Sequence, residues 1–175
     1  MTSCLTRRGS RPFRHLLAAA VCAIALGGCL NAESPEEPAI SDSHVSVVVR
    51  LDPDELRDRL TAYRAAHHLC AVTLDPGLMA LAQSQANAMA RANHLSHEIA
   101  GSLDHRLNAA HHAKGYAVEN VSAGYATADA ALRGWEHSPG HNANLLDGKM
   151  HRLGIAAADA PGTRYKTYWA LMMTD

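Results

Sequence analysis

Twelve histidines in 175 residues are the side chains best placed to do chemistry in this chain. His67-His68 and His111-His112 are adjacent pairs. On a helix, neighbours point about 100° apart, so one metal ion cannot easily use both members of a pair. These four are expected to be surface or packing residues. His97-Glu98 begins like the zinc-protease helix motif, in which a second histidine four residues after the first brings both imidazoles onto one metal. Position 101 is glycine, and the motif is absent. No Gly-x-Ser-x-Gly elbow, phosphate loop or dinucleotide fingerprint occurs either. Cys70 lacks the local signature of a nucleophile and reads as a buried structural thiol.

His141 carries more information. In Ser138-Pro139-Gly140-His141, a helix capped by Ser138 puts His141 at its third position. The positive end of the helix dipole there disfavours imidazolium and favours the neutral ring. Neutral imidazole is the form that a metal ligand or a general base must take. Pro139 fixes the entry angle and Gly140 leaves bare backbone, which makes room for a ligand.

The elements that must hold these residues can be placed from caps and periodicity. Asp52-Pro53-Asp54-Glu55 reads as a helix start, with a capping carboxylate, proline at the first helical position and a capping-box glutamate. Leu56, Leu60 and Tyr63 follow at three-to-four spacing, with His67 next in line. Asp75-Pro76 opens a second helix the same way. Leu78, Leu81, Ala82, Gln85, Ala86 and Met89 line one side of it, and its alanines allow close approach of a neighbour. Thr127 is the expected cap of a third helix carrying Ala130, Ala131 and Trp135, and Ser138-Pro139 starts a fourth. Then the period changes. Leu153 to Ala157 and Tyr165 to Met173 flank Asp159-Ala160-Pro161-Gly162-Thr163, a strand, a turn and a strand. Helices first and strands late predict an α+β fold with a small antiparallel sheet. Trp135, Tyr168 and Trp169 are expected in the core, where they supply much of the buried area.

Residues 1–28 read as an export signal. Arg7, Arg8, Arg11 and Arg14 make a positive start, and Leu16 to Leu26 is an apolar run of 11 residues. A bilayer-spanning helix needs about 20, whereas this length suits a secretory signal peptide. Leu26-Gly27-Gly28-Cys29 resembles the bacterial lipoprotein signal, which implies that Cys29 is lipidated and becomes the mature N-terminus, anchoring the chain to the membrane. Cys4 and Cys22 would leave with the signal, and Cys70 would remain as the lone thiol. Residues 29–50 are acidic, contain proline and lack apolar periodicity, as expected of a tether with a reach of roughly 25 Å. Residues 51–175 form the folded domain. The chain has 16 basic and 17 acidic residues, and outside the four signal arginines it carries 12 against 17. A nucleic-acid binder would show the opposite sign, so that class is excluded.

Ser96-His97, Gly101, Arg106, Gly115-Tyr116, Glu119-Asn120-Val121, Gly124, Trp135, Ser138-Pro139-Gly140-His141, Asn144-Leu145-Leu146, Gly154-Ile155 and Tyr168-Trp169 stand in a telling order. In order and spacing they resemble bacterial CAP domains (cysteine-rich secretory proteins, antigen 5 and pathogenesis-related proteins). The likeness runs from about Leu56 to Thr174. It implies an α-β-α sandwich, with helices on both sides of a small antiparallel sheet. It also implies a cleft of two histidines and two acids that binds zinc or another divalent ion in some members. Position by position, His97 matches the first histidine, Glu119 the first acid and His141 the second histidine. The second acid is missing. In the animal branch it lies three residues after the tryptophan, where this chain has Ser138. Glu136, directly after Trp135, points elsewhere on a helix.

Three functions follow from the resemblance. One is a lipid-anchored envelope module for binding or scaffolding, whose His/Glu cleft takes a divalent metal and a sterol, fatty acid or envelope glycan. A second is a metal-dependent hydrolase of peptides, esters or glycans, in which Glu119 is third metal ligand or general base. The third is an adhesion or stability domain with a vestigial cleft.

Overall fold

The computed structural model describes residues 51–112 and 115–175. The expected signal and tether, with Cys29, lie outside the described residues. Helix α1 (Pro53–Ala66) starts at the expected cap, where the Asp52 carboxylate accepts the N–H groups of Asp54 and Glu55 at 3.0 and 3.2 Å. Helix α2 (Pro76–Ala92) is capped in the same manner by Asp75, and α4 (Ala128–Glu136) by Thr127. Helix α5 (Pro139–Leu145) follows Ser138, whose side chain makes no capping bond.

Three elements escape the sequence periodicity, strand β2 (Ala117–Ala123) among them. Helix α3 (Leu103–Ala109) has only seven residues, and strand β1 (Thr73–Leu74) only two. Strands β2 (Ala117–Ala123), β3 (Arg152–Ala160) and β4 (Lys166–Thr174) complete a sheet of order β1-β3-β4-β2. The expected sheet was wholly antiparallel. Pairing of β2 with β4 and of β3 with β4 is antiparallel, but β1 runs parallel to β3. Its two residues enter the sheet edge directly from the α1–α2 connection, with Thr73 opposite Arg152 and Leu74 opposite Leu153.

Strand β4 shows the sandwich in its alternation. Trp169, Leu171 and Met173 join a core cluster with Leu56 and Leu60 of α1, Leu132 and Trp135 of α4, and Leu145 of α5. Tyr168 and Ala170 point the other way, into a second cluster with Ala82, Ala86 and Met89 of α2. Helices therefore cover both faces of the sheet, as the α-β-α expectation required. Helix α2 lies close against β3. A methyl group placed on Gly154 would sit 2.2 Å from the Leu78 carbonyl carbon, so only glycine permits that approach. All three expected aromatics are buried.

Helix α1 differs from its periodicity reading. Tyr63 is half-buried and His67 is exposed, while Arg64 is fully buried in their stead. Its guanidinium donates to the carbonyls of Cys70, Leu145, Asp147 and Met150 at 2.7–3.0 Å. Four acceptors make a dry site tolerable for a charge that water would otherwise solvate. Cys70 also departs from expectation. It is half-buried, and it is disulfide-bonded rather than a lone thiol.

Candidate functional site

Among the described residues, strand β2 pairs with β4 on one side only, and its other edge meets no further strand. The candidate site is assembled around that edge. Glu119 stands in the middle of β2 with its side chain 3 % exposed, and Arg106 reaches it from α3 at 4 %. Arg106 Nη1 donates to Glu119 Oε1 at 2.9 Å, an ion pair taken almost wholly out of water. The same guanidinium donates through Nε to the Gly101 carbonyl at 2.9 Å and through Nη2 to the His97 carbonyl at 3.1 Å. One side chain thus ties α3 and β2 to the loop that follows α2. Gln85, buried on α2, pins that loop from the other side by donating to the carbonyls of Ser96 and His97 at 2.7 and 3.2 Å. Gly101 turns the loop at φ +89°, in the region that favours glycine.

These restraints deliver the His97 ring to Glu119. His97 Nδ1 lies 2.8 Å from Glu119 Oε2. A carboxylate accepts only, so Nδ1 carries the proton, and in the neutral ring Nε2 is left as a free lone pair. The side chain is 53 % exposed, which leaves Nε2 open to a ligand from solvent. Histidines that bind metals commonly have this arrangement, with a carboxylate behind the ring fixing tautomer and orientation. Both oxygens of Glu119 are engaged, one by Arg106 and one by His97.

His141 approaches on α5, at the third helical position as the sequence suggested. Asn120 Nδ2 donates to its carbonyl at 3.0 Å. Asn144 Nδ2 donates to Asn120 Oδ1 at 2.8 Å and to the Glu119 carbonyl at 3.1 Å. Two asparagines therefore clasp α5 to the outer edge of β2 and satisfy backbone groups that the sheet leaves over. Tyr63 donates its hydroxyl to Asn142 Oδ1 at 2.9 Å, fixing the residue next to His141. The His141 imidazole titrates below its ordinary value, first because burial disfavours the charged ring and second because the neighbouring His97 ring opposes a like charge. The neutral form is favoured, with burial and a neighbouring imidazole as the causes.

This gives a direct check. In the metal-free protein, an NMR titration is expected to place the His141 midpoint below the usual 6.5 or so for histidine. Substituting His97→Ala should raise it part of the way back, because one of the two causes is removed. A His141 midpoint unchanged by that substitution would show that the two rings do not share a neighbourhood.

His97 and His141 are the two residues here whose imidazoles could hold a divalent ion. Among the described residues, no group of three or more His, Cys, Asp or Glu is assembled as a metal cage. Glu136 ends α4 half-buried and makes no hydrogen bond or ion pair with His97, Glu119 or His141. Ser138 occupies the place of the second acid, at the head of α5, and its side chain makes no capping bond there. Arg106 and Gln85 are the residues whose roles the sequence reading missed. A glutamine on the otherwise apolar stripe of α2 was the available signal for one of them. For Arg106, nothing local marks the partner 13 residues away.

Known proteins share the fold of this domain. The family model described as "CAP: Cysteine-rich secretory protein family" matches residues 57–173. An "uncharacterized membrane protein YlbC" of Bacillus subtilis (strain 168) is 29 % identical over 119 residues, covering 67 % of this chain and 34 % of the relative. The chain thus spans about a third of that relative's length. Among solved structures, an extracellular protein containing an SCP domain from Bacillus anthracis str. Ames aligns with a TM-score of 0.60 and 25 % identity. That alignment covers 71 % of this chain and 44 % of the other. An outer surface protein from Borrelia burgdorferi aligns at a TM-score of 0.63 and 15 % identity, over 70 % and 90 % of the two chains. At that identity the likeness speaks for the fold alone.

Proposed function

The chain belongs to the cysteine-rich secretory protein (CAP) family, and from that premise we propose that it is an exported binding module of the bacterial cell envelope. Its His97–Glu119–His141 cleft holds a divalent metal ion, zinc being the natural choice for imidazole donors. A lipid, a sterol or an envelope glycan is the ligand class that the family resemblance brings with it. Lipidation at Cys29 attaches the module to the membrane. Export draws support from the arginine-led apolar segment at the N-terminus and from relatives titled extracellular, outer surface or membrane proteins.

One observation carries the cleft reading. Glu119 holds His97 Nδ1 at 2.8 Å while Arg106 holds the other carboxylate oxygen, so His97 Nε2 faces outward as a preoriented donor. His97 and His141 are the residues that would hold the metal, and Glu119 orients the first of them. A bound divalent ion supplies a Lewis-acidic point for an oxygen of the ligand. Arg106 and Gln85 keep the His97 loop in place, and Asn120 and Asn144 keep α5 against β2. The hydrolase reading draws less support, because a general base needs a free oxygen and Glu119 has committed both.

Isothermal titration with zinc tests the proposal. Binding is expected in the full-length chain and is expected to vanish in the His97→Ala, His141→Ala double variant. Glu119→Gln should weaken it by roughly 10–100-fold, as loss of a carboxylate behind a ligating histidine does. Zinc affinity undiminished in the double variant would overturn the cleft assignment.

A further inference from the structure

On another part of the domain, the end of α2 and the turn between β3 and β4 form a face that the cleft does not use. Arg91 closes α2 and lines a hollow with Asp159 and the 160–163 turn. Next to it His94, Leu95, Arg164 and Tyr165 line a second shallow hollow with Asn93. The exposed side chains here are mainly basic and apolar, with Asn93 and the acid Asp159 beside them. Arg91, Arg164 and the neighbouring Lys166 make no ion pair among the described residues, and Asp159 is the only acid lining either hollow. Leu95 and Tyr165 are among the few large apolar side chains left exposed.

The face is built rather than loose. Tyr168 donates its hydroxyl to Asn93 Oδ1 at 2.8 Å, joining the α2 terminus to β4. The Tyr165 ring meets Tyr168 edge-on, with centroids 6.1 Å apart, and Arg164 lies over Tyr165 at 5.3 Å. Thr163 fastens the turn, donating to the Ala160 carbonyl at 2.8 Å and accepting the Lys166 N–H at 3.1 Å. Lys166 itself sits at φ +63°, a strained setting for a residue with a side chain. Beyond the signal arginines the chain carries an acidic excess, so uncompensated cations gathered in one place stand out against it.

We propose that this face, Arg91, Arg164 and Lys166 with Leu95 and Tyr165 between them, lies against an anionic lipid surface and sets how the domain is oriented on its membrane. Basic side chains meet lipid phosphates, an aromatic ring with a polar tip sits at headgroup depth, and a leucine enters the acyl boundary. The hollows are shallow and open, which suits a flat partner rather than an enclosed small molecule. The inference is independent of the His97–His141 cleft and of any metal there.

Deuterium uptake by the full-length chain tests it, on vesicles of phosphatidylcholine alone and on vesicles mixed with phosphatidylglycerol. Residues 91–95 and 161–166 are expected to exchange severalfold more slowly on the anionic vesicles only, with the difference fading as salt is added. Arg91→Glu with Arg164→Glu should abolish that protection, and Arg91→Lys with Arg164→Lys should retain it. Equal protection on both vesicles, or protection that survives charge reversal, would overturn the proposal. So would equal protection by soluble polyphosphate without vesicles, which would assign the face to a soluble anionic polymer.

Discussion

Replacing Arg106 by alanine is expected to cost about 3–5 kcal/mol of folding stability, the usual penalty for removing one partner of a buried ion pair. Glu119 would be left with its side chain 3 % exposed and no cation against Oε1. The Gly101 carbonyl would lose its side-chain donor at the same time, and the His97 carbonyl would keep only that of Gln85. Urea denaturation reads the loss as a lower midpoint with an unchanged slope. A charge is the problem, so removing both charges should do less harm than removing one. Arg106→Met combined with Glu119→Leu is expected to be more stable than Arg106→Ala alone. Arg106→Lys should fall between, because an ammonium replaces the charge but not the planar fork that serves three acceptors. Loss of stability in Arg106→Ala no greater than that of an exposed arginine would refute the ion pair's structural role.

Arg64→Ala should be as damaging, by about 4 kcal/mol or more, and for a different reason. Among the described residues no carboxylate is bonded to this guanidinium; four carbonyls are. Each buried acceptor left without a donor costs about 1–3 kcal/mol, and the truncated side chain leaves a cavity besides. Burial already lowers the Arg64 pKa, against a smaller opposing effect from Asp147. Arg64→Met fills the space without restoring a donor, so it is expected to recover only the cavity part. Domains of this size have about 5–15 kcal/mol in total, so either arginine loss threatens the native state. Because Arg64 ties α1 to the segment after α5, its loss should also release amide protection over 145–150.

Much of the fold was legible because its signals are local. Asp52, Asp75 and Thr127 each cap the helix that the sequence assigned to them, and the strand–turn–strand pattern near the C-terminus became β3 and β4. Strand β1 was not legible, since two residues carry no period. Strand β2 hides for another reason. Its Glu119, Asn120 and Ser122 are buried polar residues, so the alternation of apolar and polar types that marks a half-exposed strand is absent. Arg64 shows the same effect on a helix, where a buried cation sits in the place that periodicity gave to Tyr63 and His67.

For the site, His97, Glu119 and His141 came from resemblance to a family, and the reading of His141 as a neutral ring came from its helical position. What the sequence could not show is how Glu119 is shared. Its two partners come from a loop 22 residues before it and a helix 13 residues before it, and only the folded chain brings both to one carboxylate. That sharing turns a candidate ligand or base into a residue that orients His97.

A crystal structure of the protein soaked with zinc tests this assignment most directly. The predicted result is zinc bonded to His97 Nε2 and to a ring nitrogen of His141, with Glu119 still held between His97 Nδ1 and Arg106. Zinc bonded to Glu119 after its release from Arg106, or zinc bound away from both histidines, would contradict it.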